Sequence, residues 1–337
     1  MDNFTMSPST RAAAKRLFRG NRELFVTDTG ALHNFDAMIR SDNTEAGTKT
    51  TGPFPARALL AADEIEPVAE GVRVRTGVRW ALLTGNWSNH EPRNGRDSAM
   101  ELFGAFEPIG TFAETRDRRG VFGSLAASMA TDAANVPVLS GACFEADGTM
   151  WSTDRYRLTR LRTDMSIQGA PDARVIVSAR IITEVAKAKV WELGVGTNIS
   201  RAHLNGLIIT ARNVEGDFPN VAGLVPEEGG DVAVSASVGE LTKAVKLLAP
   251  PKNTPVTLHS DGTMSCEDAE TRLGEGDSSV QSRIGLNPQF LAGMVKTHGA
   301  KAMVAIRWRS EAPQKPALVT VEGEDDLRMV IMPVRLP

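Results

Sequence analysis

Apolar and polar positions alternate with a period of two through Val72-Arg-Val-Arg-Thr-Gly-Val-Arg-Trp80, Gly206-Leu-Ile-Ile-Thr-Ala-Arg212, Pro255-Val-Thr-Leu-His259 and Ala302-Met-Val-Ala-Ile-Arg-Trp-Arg309. Alternation of this kind predicts strands that bury one face. Ala146-Asp-Gly148 and Ser260-Asp-Gly262 read as the hairpin turns between such strands. Helical spacing replaces the alternation in Ser9–Arg19, Thr115–Met129 and Val238–Leu248. A second, shorter helix type follows a strand end in Phe54-Pro-Ala-Arg-Ala-Leu-Leu, Val177-Ser-Ala-Arg-Ile-Ile and Leu286-Asn-Pro-Gln-Phe-Leu. Each opens on a small residue or proline, and Ser178 and Asn287 suit the N-cap position.

The two helix types recur in the same order three times, at intervals too long for a solenoid, whose periods run about 20–50 residues. Phe25-Val-Thr-Asp28 and Trp151-Ser-Thr-Asp154 add a strand-end echo. The pattern predicts an α+β fold: three tandem copies of a unit in which two helices pack on antiparallel sheet. Gly/Pro/Glu-rich stretches set the boundaries, giving units 1–105, 106–227 and 228–337.

Composition adds mainly exclusions. Of 337 residues, 42% are hydrophobic and 23% charged, with a net charge of −3. Cys143 and Cys266 stand alone, which fits a reducing, cytoplasmic setting. No apolar run has the ~18 residues a membrane span needs. The five histidines have no metal-ligand spacing, and no cofactor is expected. Gly47-Thr-Lys-Thr50 lacks most of a P-loop. Gly194-Val-Gly196 is read as a turn between a helix and a strand rather than a dinucleotide site.

Positive charge gathers on the helices. At about 100° per residue, Arg11, Lys15 and Arg19 share one face of the first helix, opposite Ala13, Ala14, Leu17 and Phe18. Arg116, Arg118 and Arg119 crowd a helix start, where cations oppose the macrodipole. Arg180, Lys243 and Lys246 continue the bias. Solvation of a helix face explains any one of these; their recurrence in every unit points to contact with phosphates, by charge and without base readout. Acidic charge lies in stretches such as Glu322-Gly-Glu-Asp-Asp326.

The C-terminal Val330-Ile-Met-Pro-Val-Arg-Leu-Pro337 resembles the end of bacterial DNA polymerase III β sliding clamps. Pro137-Val-Leu-Ser-Gly141, Ser152-Thr-Asp-Arg-Tyr-Arg-Leu158, Gly216-Asp-Phe-Pro219 through Pro226, and Leu286-Asn-Pro-Gln-Phe-Leu291 are similar to family motifs in the same order. The resemblance covers residues from about 106 onward; the first unit is expected to be divergent and shortened. It implies a non-catalytic processivity factor: a head-to-tail homodimer that closes round duplex DNA, opened by a separate clamp loader, holding a replicative DNA polymerase. It further implies a pocket for partner peptides at Leu139, Thr153, Arg155, Tyr156, Arg157, Leu158, Pro219, Leu224, Pro316, Val330, Met332, Pro333, Val334, Arg335 and Leu336. On the residues alone, Met332 to Leu336 reads more readily as a last core strand. Arg180 matches a phosphate-contacting position, and Leu247 and Leu248 match the dimer seam, with ordinary core as their other reading. Arg155-Tyr156 replaces the family's Gly-His, which predicts a bulkier, more basic pocket mouth, and Val221-Ala-Gly223 softens one wall. A clamp-fold scaffold that binds peptides without encircling DNA is the alternative; a phage-encoded clamp or specialised paralogue would suit the divergence.

Overall fold

The computed structural model describes residues 4–34, 36–43, 45–47, 49–86, 88–89, 106–114, 117–131, 135–164, 167–168, 173–226, 230–248, 250–251 and 254–336. The described α-helices fall in chain order as three pairs: α1 (Pro8–Leu17) and α2 (Ala56–Ala61), α3 (Arg119–Ala127) and α4 (Ala179–Val185), α5 (Val238–Leu248) and α6 (Pro288–Val295). Antiparallel strands follow each helix, so the α+β reading holds. Local chemistry fixes the helix starts. The Ser7 side chain accepts the Thr10 amide at 3.1 Å. Ser178 accepts from Arg180 at 3.3 Å. Asn287 accepts from Gln289 and Phe290 at 3.0 and 3.1 Å. Ser237 and Glu240 form a reciprocal capping box on α5, at 2.8 and 3.1 Å.

Three expectations change in detail. The third helix begins at Arg119, not Thr115, because the Asp117 carboxylate accepts the Arg119 amide (3.3 Å) and guanidinium (2.7 and 2.6 Å) and turns the chain there. Val72–Trp80 is a hairpin rather than one strand: Gly77, at φ +60°, separates strand Gly71–Thr76 from strand Arg79–Thr84. Gly194 likewise lies in strand Trp191–Val195, which pairs with Ile199–Leu204. The Gly194-Val-Gly196 segment therefore joins two strands, and the Phe106 ring occupies the space a Cβ on Gly194 would need.

The chain separates into two compact units, residues 1–116 with 167–169 and 188–213, and residues 117–166 with 170–187 and 214–337. The first holds α1, α2, a four-stranded sheet ending on edge strand Arg79–Thr84, and a nine-stranded sheet. In the latter, Leu207–Arg212 pairs with Ala37–Ser41. The second holds α3 to α6, an eight-stranded sheet and a four-stranded one. In the eight-stranded sheet, Arg157–Arg162 pairs with Leu327–Ile331, Leu158 opposite Val330 and Arg160 opposite Arg328. Its helix-facing side is fixed by Ser152, whose hydroxyl donates to the Leu125 carbonyl (2.7 Å), and by Thr159, which meets Ser128 at 2.7 Å. Alternation then turns Trp151, Thr153, Leu158 and Arg160 to the opposite face.

Candidate functional site

That outward face carries an apolar cluster. Leu139, at the end of the 3-10 turn Pro137–Leu139, packs with Leu158 and Val330 from neighbouring strands and with Cys143, Trp151, Ile176, Phe218, Val221 and Leu318. Burial raises the Cys143 thiol pKa to about 12, so it acts as a small hydrophobe. Around this floor stand apolar side chains left in water. Leu224 is 50% exposed, Met332 37%, Val334 38% and Tyr156 60%, and Pro219 is exposed as well. A buried apolar floor with an exposed apolar rim is a surface prepared for an apolar partner.

The turn 153–157 forms one border. The Thr153 hydroxyl donates to the Arg157 carbonyl (2.6 Å) and accepts the Arg155 amide (3.1 Å). The Asp154 carboxylate accepts the amides of Tyr156 and Arg157 (3.0 and 2.8 Å) and the Arg157 guanidinium (2.9 and 2.7 Å). Arg157 lies 4.4 Å from the centre of the Phe290 ring on α6, and Tyr156 leans on that ring at 5.8 Å. Thr153 and Arg157 therefore hold the turn and lock it to α6. Arg155 projects into solvent from φ +78°, a left-handed backbone.

The C-terminal segment makes the other border. The Met332 amide donates to the Tyr156 carbonyl (2.9 Å) and the Val334 amide to the Gly285 carbonyl (2.9 Å). A Cβ on Gly285 would overlap the Val334 carbonyl and the Leu336 side chain, so glycine lets the tail lie flat. Pro333, Val334, Arg335 and Leu336 also wall an open cleft of about 470 Å³ with Arg283, Ile284, Gly285, Pro313 and Gln314. Pro316 is half-buried just before strand Ala317–Val321. Sequence reasoning missed Phe290, Gly285, Leu318 and Phe218, although it placed Val221 in a wall; the signal for Phe218 lies in its place beside Pro219, and for Leu318 in its alternation with Thr320.

The basic residues meet different fates. Lys15 on α1 is exposed, opposite buried Ala13, Ala14 and Leu17, and Arg19 is exposed in the turn that follows, because the helix ends at Leu17 and not at Arg19. Arg11 pairs instead with Asp63 and donates to the Met6 carbonyl at 3.3 Å. The Gly77 amide and then Arg11 hold the Asp63 carboxyl below its usual range. Arg118 is largely buried and pairs with Asp326 and Glu324, drawing part of the acidic 322–326 stretch to itself. Arg119 pairs with Asp117. Arg180 is half-buried on α4, Lys243 and Lys246 are exposed on α5, and Arg116 lies outside the described residues. Leu247 is 71% exposed, whereas Leu248 joins the core. Among the described residues no group of His, Cys, Asp and Glu could hold a metal ion, and no helix is long and apolar enough to cross a membrane.

Repeated helix pairs on antiparallel sheet define a DNA-clamp-type fold. More particularly, it is the fold of the bacterial DNA polymerase III β subunits. A DNA polymerase sliding clamp from Pseudomonas aeruginosa superimposes with a TM-score of 0.66 at 21% identity, covering 99% of this chain and 100% of that one. The β subunit from Bartonella birtlesii, bound to griselimycin, gives 0.70 at 16% identity, with 99% of both chains covered. The Helicobacter pylori β clamp bound to a DNA ligase peptide gives 0.68 at 14% identity, with 100% of both covered. No protein-family model matches the sequence, nor does any curated protein.

Proposed function

We propose that this chain is a sliding-clamp subunit: a non-catalytic, cytoplasmic processivity factor that closes round duplex DNA as a head-to-tail homodimer and tethers a replicative DNA polymerase. The observation that carries the reading is the apolar floor at Leu139, Leu158 and Val330, rimmed by Leu224 and Met332, in a fold shared along its whole length with clamps, one of them bound to a partner's peptide. The three helix pairs support division into three clamp domains, 1–105, 106–227 and 228–337. Exposed Lys15, Arg19, Lys243 and Lys246 supply a thin cationic lining toward phosphates. A net charge of −3 is compatible with DNA tracking when confinement replaces affinity, because few neutralised phosphates leave a shallow salt dependence.

Two sheet edges suit the seam between protomers. Edge strand Arg79–Thr84 exposes Trp80 and Leu82 beside Arg73, Arg75 and Arg79. Edge strand Ala269–Arg272 exposes Glu270 and Arg272, the turn before it exposes Glu267 and Asp268, and α5, which carries Leu247, packs beside it. Exposed strand edges invite pairing; Arg73 and Arg75 are already paired with Glu66 and Glu64, so the charge left to complement Glu267, Asp268 and Glu270 is that of Arg79. The test is retention on nicked circular DNA with a clamp loader present. The complex is expected to elute with the circle and to fall off once the circle is linearised; equal loss from both forms favours a peptide-binding scaffold that does not encircle DNA.

A further inference from the structure

Two residues along the strands from the Leu158–Val330 pair, the same outward face carries Arg160 directly opposite Arg328, with Arg162 one step further. Like charges directly opposite each other on a sheet are destabilising. Burial, and then the charges of Arg162 and Arg328, hold the Arg160 guanidinium below its usual pKa. Its Nε is buried without a hydrogen-bond partner. Arg328 turns to the carbonyls of Asp325 and Leu327 (2.8 and 2.9 Å). Glu145, on this face, is taken by Arg174 at 2.7 Å and by the Trp151 indole N–H at 2.8 Å. Three clustered arginines, one with an unsatisfied buried donor, weaken the sheet that holds them unless an anion completes the set.

We propose that Arg160, Arg162 and Arg328 form an acidic-peptide subsite that continues the apolar floor, so that a partner segment places its apolar anchor on Leu158 and Val330 and its neighbouring carboxylates on the arginines. The inference rests on the peptide-site reading above and names the ligand chemistry of that site. A peptide is favoured over nucleic acid because the cations adjoin a greasy floor: Leu158, Val330 and Trp151 are at most 5% exposed, beneath an exposed Leu224 and Met332. Such a surface suits an aliphatic or aromatic side chain, and a phosphate backbone has nothing to put there.

The test uses two labelled octapeptides on the full chain, Asp-Asp-Gly-Leu-Phe-Gly-Asp-Asp and its all-Asn counterpart, with binding read by fluorescence anisotropy. The acidic probe is expected to bind roughly tenfold more tightly, the worth of one charge-assisted hydrogen bond. In the double variant Arg160→Leu, Arg328→Ser the acidic probe falls to the neutral probe's affinity, and the neutral probe is unchanged. Leu224→Asp weakens both. Arg160→Leu alone is expected to raise the melting temperature, because it removes a like-charge contact and an unsatisfied donor. Equal binding of the two probes to the unmodified protein overturns the proposal, as does a preference that survives the double variant or a lowered melting temperature on Arg160→Leu. Oligothymidylate that binds more tightly than the acidic peptide, and only with the arginines present, reassigns the subsite to nucleic acid and also overturns it. An acidic probe that needs the arginines but ignores Leu224→Asp instead sinks the apolar-floor reading and leaves the arginine site standing.

Discussion

Position 155 combines a bulky side chain with a φ of +78°, a region that costs a residue with a Cβ about 1–2 kcal/mol. Glycine adopts that backbone without the penalty. Arg155→Gly is therefore expected to stabilise the fold by about 1 kcal/mol, read as a higher urea midpoint, whereas Arg155→Ala, which keeps the Cβ, gives little. His298 offers a second residue-scale test. Its Nε2 lies 2.8 Å from the Ser124 hydroxyl, which itself donates to the Met294 carbonyl at 2.5 Å, so the ring must be the donor. Gly120 lies close to the Nδ1 side of the ring, where a Cβ would overlap it. Burial lowers the His298 pKa from 6.5 to about 4. The unfolded chain then binds the proton more readily than the folded one. Stability is complete above pH 6.5 and is lost as pH falls toward 4, by up to about 3 kcal/mol below that. His298→Gln retains a donor to Ser124 and should flatten this part of the pH–stability curve, measured by urea denaturation between pH 7 and pH 4.

Among elements, the C-terminal segment and strand Arg283–Leu286 meet where only glycine fits. Gly285→Ala is expected to push Val334 and Leu336 off the strand, weakening probe-peptide binding at least tenfold while the melting temperature falls by only a few degrees. A binding isotherm and a melt on the same sample decide it, since equal loss of both would mean the tail is merely core. Much at this scale was legible from the chain alone. The helices announced themselves through apolar faces and through caps such as Ser178 and Asn287, because these depend on neighbours in sequence. The start of α3 did not, since a carboxylate two residues away, Asp117, outcompeted the helical pattern. Nor did the pairing of Arg157–Arg162 with Leu327–Ile331: register between distant strands is chosen by side chains that never appear together in sequence. For the same reason the motifs in the sequence marked Leu139, Leu158 and Val330 of the floor, while Phe218, Leu318 and Trp151, which complete it from separate segments, stayed hidden.

For the whole molecule the proposed function turns on closure, because the cations available for DNA are fewer than the sequence suggests. Arg11, Arg118 and Arg119 are each held by carboxylates of their own chain, so a grip built from charge alone would be weak at ordinary ionic strength. A ring does not need that grip, but it does need its seams. Trp80 is 47% and Leu247 71% exposed, and each would lie at an interface only in an assembly of two copies. Trp80→Glu places an anion opposite Glu267, Asp268 and Glu270 of the other protomer under the proposed pairing, and Leu247→Asp removes an apolar contact beside the same strand. Leu247 supports no core of its own, and Trp80 touches its own sheet only through Arg73 and Arg75, so Leu247→Asp is expected to keep the parent melting temperature of the isolated chain and Trp80→Glu to lower it by only a few degrees. Sedimentation should nevertheless shift them from dimer to monomer, and retention on nicked circles should disappear, although binding of short apolar peptides persists. Raising the salt concentration should separate the two contributions further. Escape from a closed circle depends little on salt once the seam holds, whereas escape from linear DNA is fast throughout. Retention on circles that survives in a strictly monomeric variant would contradict confinement as the mechanism, because a single open copy has no topology with which to hold the duplex.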